Sequence, residues 1–88
     1  MSVFGRVLLP NSSAAVLSTF DVLDTNGAVV AGSFTNRKGR LLIEGLESGK
    51  YSLKLYSQNE EYLASFRLPK GKVGFVDLGA INLTKVIK

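Results

Sequence analysis

The chain contains no cysteine, no histidine and no tryptophan, and only two prolines. Without cysteine there is no disulfide staple, no zinc–thiolate site and no thiol redox chemistry. That absence says little about compartment, because disulfide-free domains occur in all of them. Without histidine the chain lacks the commonest general base and the commonest metal ligand together. Long apolar runs are missing too. Stretches such as Val7-Leu8-Leu9 are far too short to cross a bilayer, so direct membrane insertion is not expected. Arg6 is followed by no apolar run of export-signal length, and Met1 is read as the start of a fragment excised from a larger protein.

What is present is ordinary for a folded domain. The 88 residues, 45% hydrophobic and 20% charged, make one domain spanning 1–88. A chain this short buries roughly 60–65% of the surface its unfolded form exposes, so most apolar residues must pack. The net charge of +4 would help solubility or attract an anionic partner, but it is too modest to mark a dedicated nucleic-acid binder.

No stretch of helical length carries a 3.6-residue apolar period. Short apolar runs alternate with turn signals instead. The runs are Val3–Leu9, Val16–Leu23, Ala28–Phe34, Arg40–Glu44, Lys50–Ser57, Glu61–Leu68 and Val73–Leu83. Asp24-Thr25-Asn26-Gly27 and Thr35-Asn36-Arg37-Lys38-Gly39 supply turns, since Asn and Gly tolerate positive φ. Gly32 suggests a bulge and Gly79 a break in the last run. About seven strands with turns at intervals of about 8–12 residues predict an all-β, two-sheet antiparallel sandwich, Ig-like or prealbumin-like. Alternation predicts a core of Phe20, Val22, Leu41, Ile43, Leu46, Tyr51, Leu53, Leu55, Phe66 and Leu68, with Val16 on the same face. Leu46, alone in a Gly-bounded loop, reads as a core plug. Thr84–Lys88 reads as a frayed basic tail.

No catalytic, cofactor or metal site emerges. Asp24 and Asn26 precede Gly27 as in a calcium loop, but the other ligand positions are missing, and a hairpin turn accounts for them. Glu60 and Glu61 are adjacent on a strand and point to opposite faces, so they form no carboxylate pair. The serines have no histidine to activate them. The chain is therefore not expected to be an enzyme. Asn11-Ser12-Ser13 and Asn82-Leu83-Thr84 match the glycosylation acceptor, a short pattern better read as turn or strand chemistry. Arg37, Lys38 and Arg40 gather at one turn, Lys70 and Lys72 at another. Phe34, Tyr51, Tyr56, Tyr62 and Phe75 interleave with them. An oligonucleotide-binding barrel would use such aromatics as stacking platforms; the simpler account is that they fill the core, except Tyr56, which alternation turns outward.

Residues Phe20 to Pro69 resemble a known module. The segment Asp24-Thr25-Asn26-Gly27-Ala28-Val29-Val30-Ala31-Gly32 is followed by Lys38-Gly39-Arg40-Leu41-Leu42-Ile43-Glu44-Gly45-Leu46. Gly49-Lys50-Tyr51-Ser52-Leu53 and a closing Leu68-Pro69 complete it. This is similar to the C-terminal domain of fimbrial outer-membrane ushers and, more widely, to prealbumin-like and carboxypeptidase-regulatory-like sandwiches. The chain departs from the usher pattern in having no cysteine pair; Leu63 and Ala64 stand near where one falls. The resemblance implies a domain on the periplasmic side of the bacterial outer membrane that receives chaperone–subunit complexes, with no cofactor and no nucleic acid. Neighbouring domains of the parent protein are the other expected partners. Alternation places Leu42, Tyr56 and Leu63 outward, and with Arg37, Lys38 and Arg40 they are the candidate partner-binding residues. A surface or secreted spacer, or a carbohydrate-binding module, is the alternative reading.

Overall fold

A computed structural model describes residues 1–57, 60–70 and 74–86, without the side chains of Tyr56 and Ser57. Gln58 and Asn59, between two of the expected strands, Gly71, Lys72 and Val73, where the last expected run begins, and the last two residues lie outside the described residues.

Among the described residues, eight strands form two sheets: β1 (Ser2–Leu8), β2 (Thr19–Leu23), β3 (Val29–Phe34), β4 (Arg40–Ile43), β5 (Gly49–Ser57), β6 (Glu60–Leu68), β7 (Phe75–Asn82) and β8 (Thr84–Lys85). One sheet has the order β4-β1-β7, the other β3-β2-β5-β6-β8. The expected two-sheet all-β sandwich is what the chain forms. Two details differ from expectation. The β1–β7 pairing is parallel, so the three-stranded sheet is mixed. The tail supplies an eighth strand, with Thr84 opposite Leu63 and Lys85 opposite Tyr62.

Between the sheets lie Val3, Val7, Phe20, Val22, Leu41, Ile43, Leu46, Leu53, Leu55, Leu68, Ile81 and Leu83, all buried. Tyr51 and Phe66, expected in the core, are half-buried at its end. Their rings stack with centroids 5.6 Å apart. Val16, expected on the core face, is 44% exposed, and Ala15 is buried in its place. The cause is local: Leu17 adopts φ 49° and its N–H donates to the Asn36 carbonyl, so the strand begins only at Thr19. Phe34 and Phe75 do not fill the core either, at 74% and 73% exposed. The irregularity in β3 falls at Val30, which the register skips between Ala31 and Val29, and not at Gly32. Gly79 does mark a bulge: the β1–β7 register slips between Phe4 and Arg6 where Gly79 takes φ 66°.

Both loops read as turns are built the same way. The Asp24 Oδ1 accepts from the N–H groups of Asn26 and Ala28, and the Asn36 Oδ1 from those of Lys38 and Arg40. In each, a glycine three residues on takes the positive φ.

The two long sides of the sandwich are closed differently. On one, the chain leaves β7, buries Leu83 and pairs as β8 with β6. On the other, the edges of β3 and β4 meet without pairing. Ser33 Oγ donates to the Leu42 carbonyl at 2.7 Å to bridge them.

Candidate functional site

The parity of β1 is fixed by Val3, Gly5 and Val7, which point into the core, so Phe4 and Arg6 face out. In the β1–β4 ladder Phe4 stands opposite Leu42, and Arg6 opposite Arg40. Across the other neighbour, the rings of Phe4 and Phe75 meet edge to face at 6.1 Å. The outer face of the smaller sheet thus carries an apolar stripe, Leu42–Phe4–Phe75, beside a pair of arginines. Arg6 and Arg40 make no ion pair with a described residue. Like charges directly opposite on a ladder repel, and the pair is a local excess of positive potential.

Around the edge of that sheet the stripe meets a groove of about 600 Å³ between β3 and β4. Its walls include Phe34, Asn36, Arg40, Leu42 and Glu44. Arg37 and Lys38 are exposed in the turn above it, held in place by the Asn36 side chain. Thr35 anchors the base: it is 1% exposed, its Oγ1 accepts from the Ser18 N–H, and its own N–H donates to the Ser18 carbonyl. The side of the sandwich with unpaired edges therefore carries exposed apolar residues and cations together.

Of the residues singled out in the sequence, Leu42, Arg37, Lys38 and Arg40 come together here. Leu63 does not. It lies on β6 in the larger sheet, half-buried, opposite Lys54, and its carbonyl accepts from Thr84 Oγ1. Tyr56 is opposite Glu61 in the β5–β6 register, and its side chain lies outside the described residues. Phe4, Arg6, Phe34 and Phe75 complete the site and were not picked out as partner contacts.

A second hollow, about 510 Å³, lies where β2 ends, beside Asp24, Lys50, Tyr51, Phe66 and Arg67. Its two rings stack on each other, and the Tyr51 hydroxyl donates to the Glu47 carbonyl, so both are committed to closing the core. At the far edge Lys85 Nζ lies 2.8 Å from Glu60, whose other oxygen accepts from the Tyr62 hydroxyl at 2.6 Å. The hydrogen bond from Lys85, then that from Tyr62, holds the Glu60 carboxyl below its ordinary range. The same contacts to Glu60 raise the Tyr62 and Lys85 values. This cluster clamps β8 to β6.

No family model matches the chain, and no curated protein sequence does. Solved structures do resemble it. Klebsiella pneumoniae 5-hydroxyisourate hydrolase is 17% identical with a TM-score of 0.58, over 97% of this chain and 95% of that one. Chains from two interface mutants of a type II cohesin–X–dockerin complex of Acetivibrio cellulolyticus are similar too. The C-terminal mutant is 16% identical with a TM-score of 0.57, over 94% of this chain. The N-terminal mutant is 15% identical with a TM-score of 0.59, over 97%. This chain spans only 56% and 58% of those two. At these identities the likeness is one of fold, and it is consistent with a prealbumin-like sandwich.

Proposed function

We propose that the chain is a non-catalytic module that binds another protein through the open β3–β4 side. The observation that carries this reading is the pairing of exposed apolar anchors with cations there. Phe34 and Leu42, 74% and 48% exposed, line one groove with Arg40. Aromatic and arginine side chains are the residues that most often dominate binding energy at protein interfaces. That one similar fold belongs to a protein–protein complex adds modest support. The finer reading is reception of chaperone–subunit complexes on the periplasmic side of the bacterial outer membrane. It rests on the resemblance of Phe20–Pro69 to usher C-terminal domains.

The test is binding of a purified fimbrial chaperone–subunit complex, measured by titration calorimetry. Phe34→Ala and Leu42→Ala should each weaken it about thirtyfold, equivalent to ~2 kcal/mol. No binding by the unmodified chain removes the finer reading. Binding that both variants retain in full moves the interface away from this groove. In parallel, 5-hydroxyisourate offered to the protein should decay at its uncatalysed rate; catalysed hydrolysis would overturn the non-catalytic reading.

A further inference from the structure

We propose that β3 takes up an added strand, donated by a partner segment that is extended and acidic at its N-terminal end; this deepens the reading above and rests on it. β3 is the terminal strand of its sheet. Just past the end of β3, the Thr35 N–H donates to the carbonyl of Ser18, the residue that precedes β2. In an antiparallel ladder that direction alternates, so the N–H and C=O of Phe34 and Gly32 point away from β2, toward the open side. The facing edge of β4 is largely occupied. The Arg40 N–H donates to the Asn36 side chain, the Arg40 carbonyl accepts from the Asn36 N–H, and the Leu42 carbonyl accepts from Ser33. Among the described residues, β3 offers the longer row of outward backbone groups on this side, two N–H and two C=O, against the Leu42 N–H on β4.

Its sequence lacks the usual guards. Val29-Val30-Ala31-Gly32-Ser33-Phe34 holds no lysine, no proline and no other charge, and Val29, Val30 and Phe34 are exposed. Folded proteins ordinarily protect such an edge with charge, proline or a covering segment. An edge left bare invites pairing, and main-chain bonds then supply affinity while side-chain pockets supply choice.

Charge decides the occupant. Arg37, Lys38 and Arg40 follow directly on the C-terminal end of β3, and Arg6 faces Arg40 across the ladder. A strand added antiparallel places its N-terminal end among these cations. Carboxylates there would relieve the Arg6–Arg40 repulsion. A second copy of this chain, at net charge +4, brings no such complement.

The probe is a synthetic peptide of alternating valine and threonine, preceded by a short run of glutamates, with a lysine-headed version as control. The expected result is binding of the glutamate peptide alone, with new exchange protection at the Gly32 and Phe34 amides. Gly32→Pro removes one outward N–H while leaving the bonds to β2, and should weaken binding at least tenfold. The double substitution Arg37→Glu, Lys38→Glu lies in an exposed turn and should reverse the preference between the two peptides. It decides the matter even if the proline variant fails to fold. Protection elsewhere, equal binding of both peptides, or concentration-dependent self-pairing through the same amides would overturn the proposal. A cognate complex that loses affinity with Phe34→Ala but not with Gly32→Pro would sink strand addition and leave the protein-binding reading standing.

Discussion

A Cβ atom on Gly39 would stand 2.9 Å from that of Ala14 and 3.2 Å from the Val7 carbonyl oxygen. The loop carrying Arg37 and Lys38 is thereby pressed against the segment between β1 and β2, with the Val7 N–H donating to the Gly39 carbonyl. Gly27 occupies the matching place in the other turn, at φ +81° against +77°, with nothing within 4 Å. Gly27→Ala should therefore cost only the left-handed backbone penalty, about 1–2 kcal/mol. Gly39→Ala adds a clash with the Ala14 Cβ and crowds the Val7 carbonyl, and should cost a further 1–3 kcal/mol or so. Denaturant midpoints of the two variants check the order; equal losses would mean the Ala14 contact yields freely.

Leu46 is 6% exposed, and its N–H donates to the Met1 carbonyl. It closes one end of the core between two glycine-bounded turns. Leu46→Ala should cost about 2–4 kcal/mol, while Phe34→Ala, at a solvent-facing position, should stay within about 0.5 kcal/mol. Urea unfolding of both variants distinguishes core plug from surface anchor.

Period-two alternation made most of the core legible: Phe20 with Val22, Leu41 with Ile43, and Leu53 with Leu55 all lie inside. Other features had no local signal. A parallel pairing of β1 with β7 joins opposite ends of the chain, and nothing within either strand encodes it. β8 is two residues long, below what any pattern can register. The candidate site was half visible. Val3–Leu9 is so evenly apolar that Phe4 looks like core; only Arg6, which must face water, sets the parity that turns Phe4 outward. Phe34 was hidden because Ser33 and Thr35, both buried, are polar residues satisfied by Leu42 and Ser18. Small hydroxyl side chains can point inward when a carbonyl awaits them.

The Glu60–Tyr62–Lys85 clamp should hold β8 only within a pH window. The Glu60 value is lowered in the fold, so its contribution is present above the ordinary carboxylate range and is lost as pH falls through the lowered value. The Tyr62 and Lys85 values are raised, so their contributions are present at neutral pH and vanish as pH climbs through the raised values. Exchange protection at the Val86 N–H, which donates to the Glu61 carbonyl, reports the state of the strand. Protection should fall at both limits, and Glu60→Gln should flatten the acid limb. Because these groups lie at the surface, raising salt should weaken the effect. A Val86 profile that Glu60→Gln leaves unchanged would show the clamp to be incidental.

Arg6 and Arg40 set stability against binding. Their positions are non-hydrogen-bonded neighbours, since the bonded pair is Val7 with Gly39, and side chains are closest at such pairs. Arg6→Glu converts a repulsive pair into an attractive one and should raise stability by about 0.5 kcal/mol, within the range for cross-strand charge pairs. The gain should shrink as salt screens it, because both residues are exposed. The same change removes a cation from the face proposed to meet an acidic segment, and should slow association most at low salt, where steering is strongest. Thermal melts across a salt series, beside association rates with the glutamate peptide, check both halves. A protein that is stabilised and still binds at an unchanged rate would show that the arginine pair plays no part in recognition. One that is destabilised would show that the two arginines do not repel each other in solution.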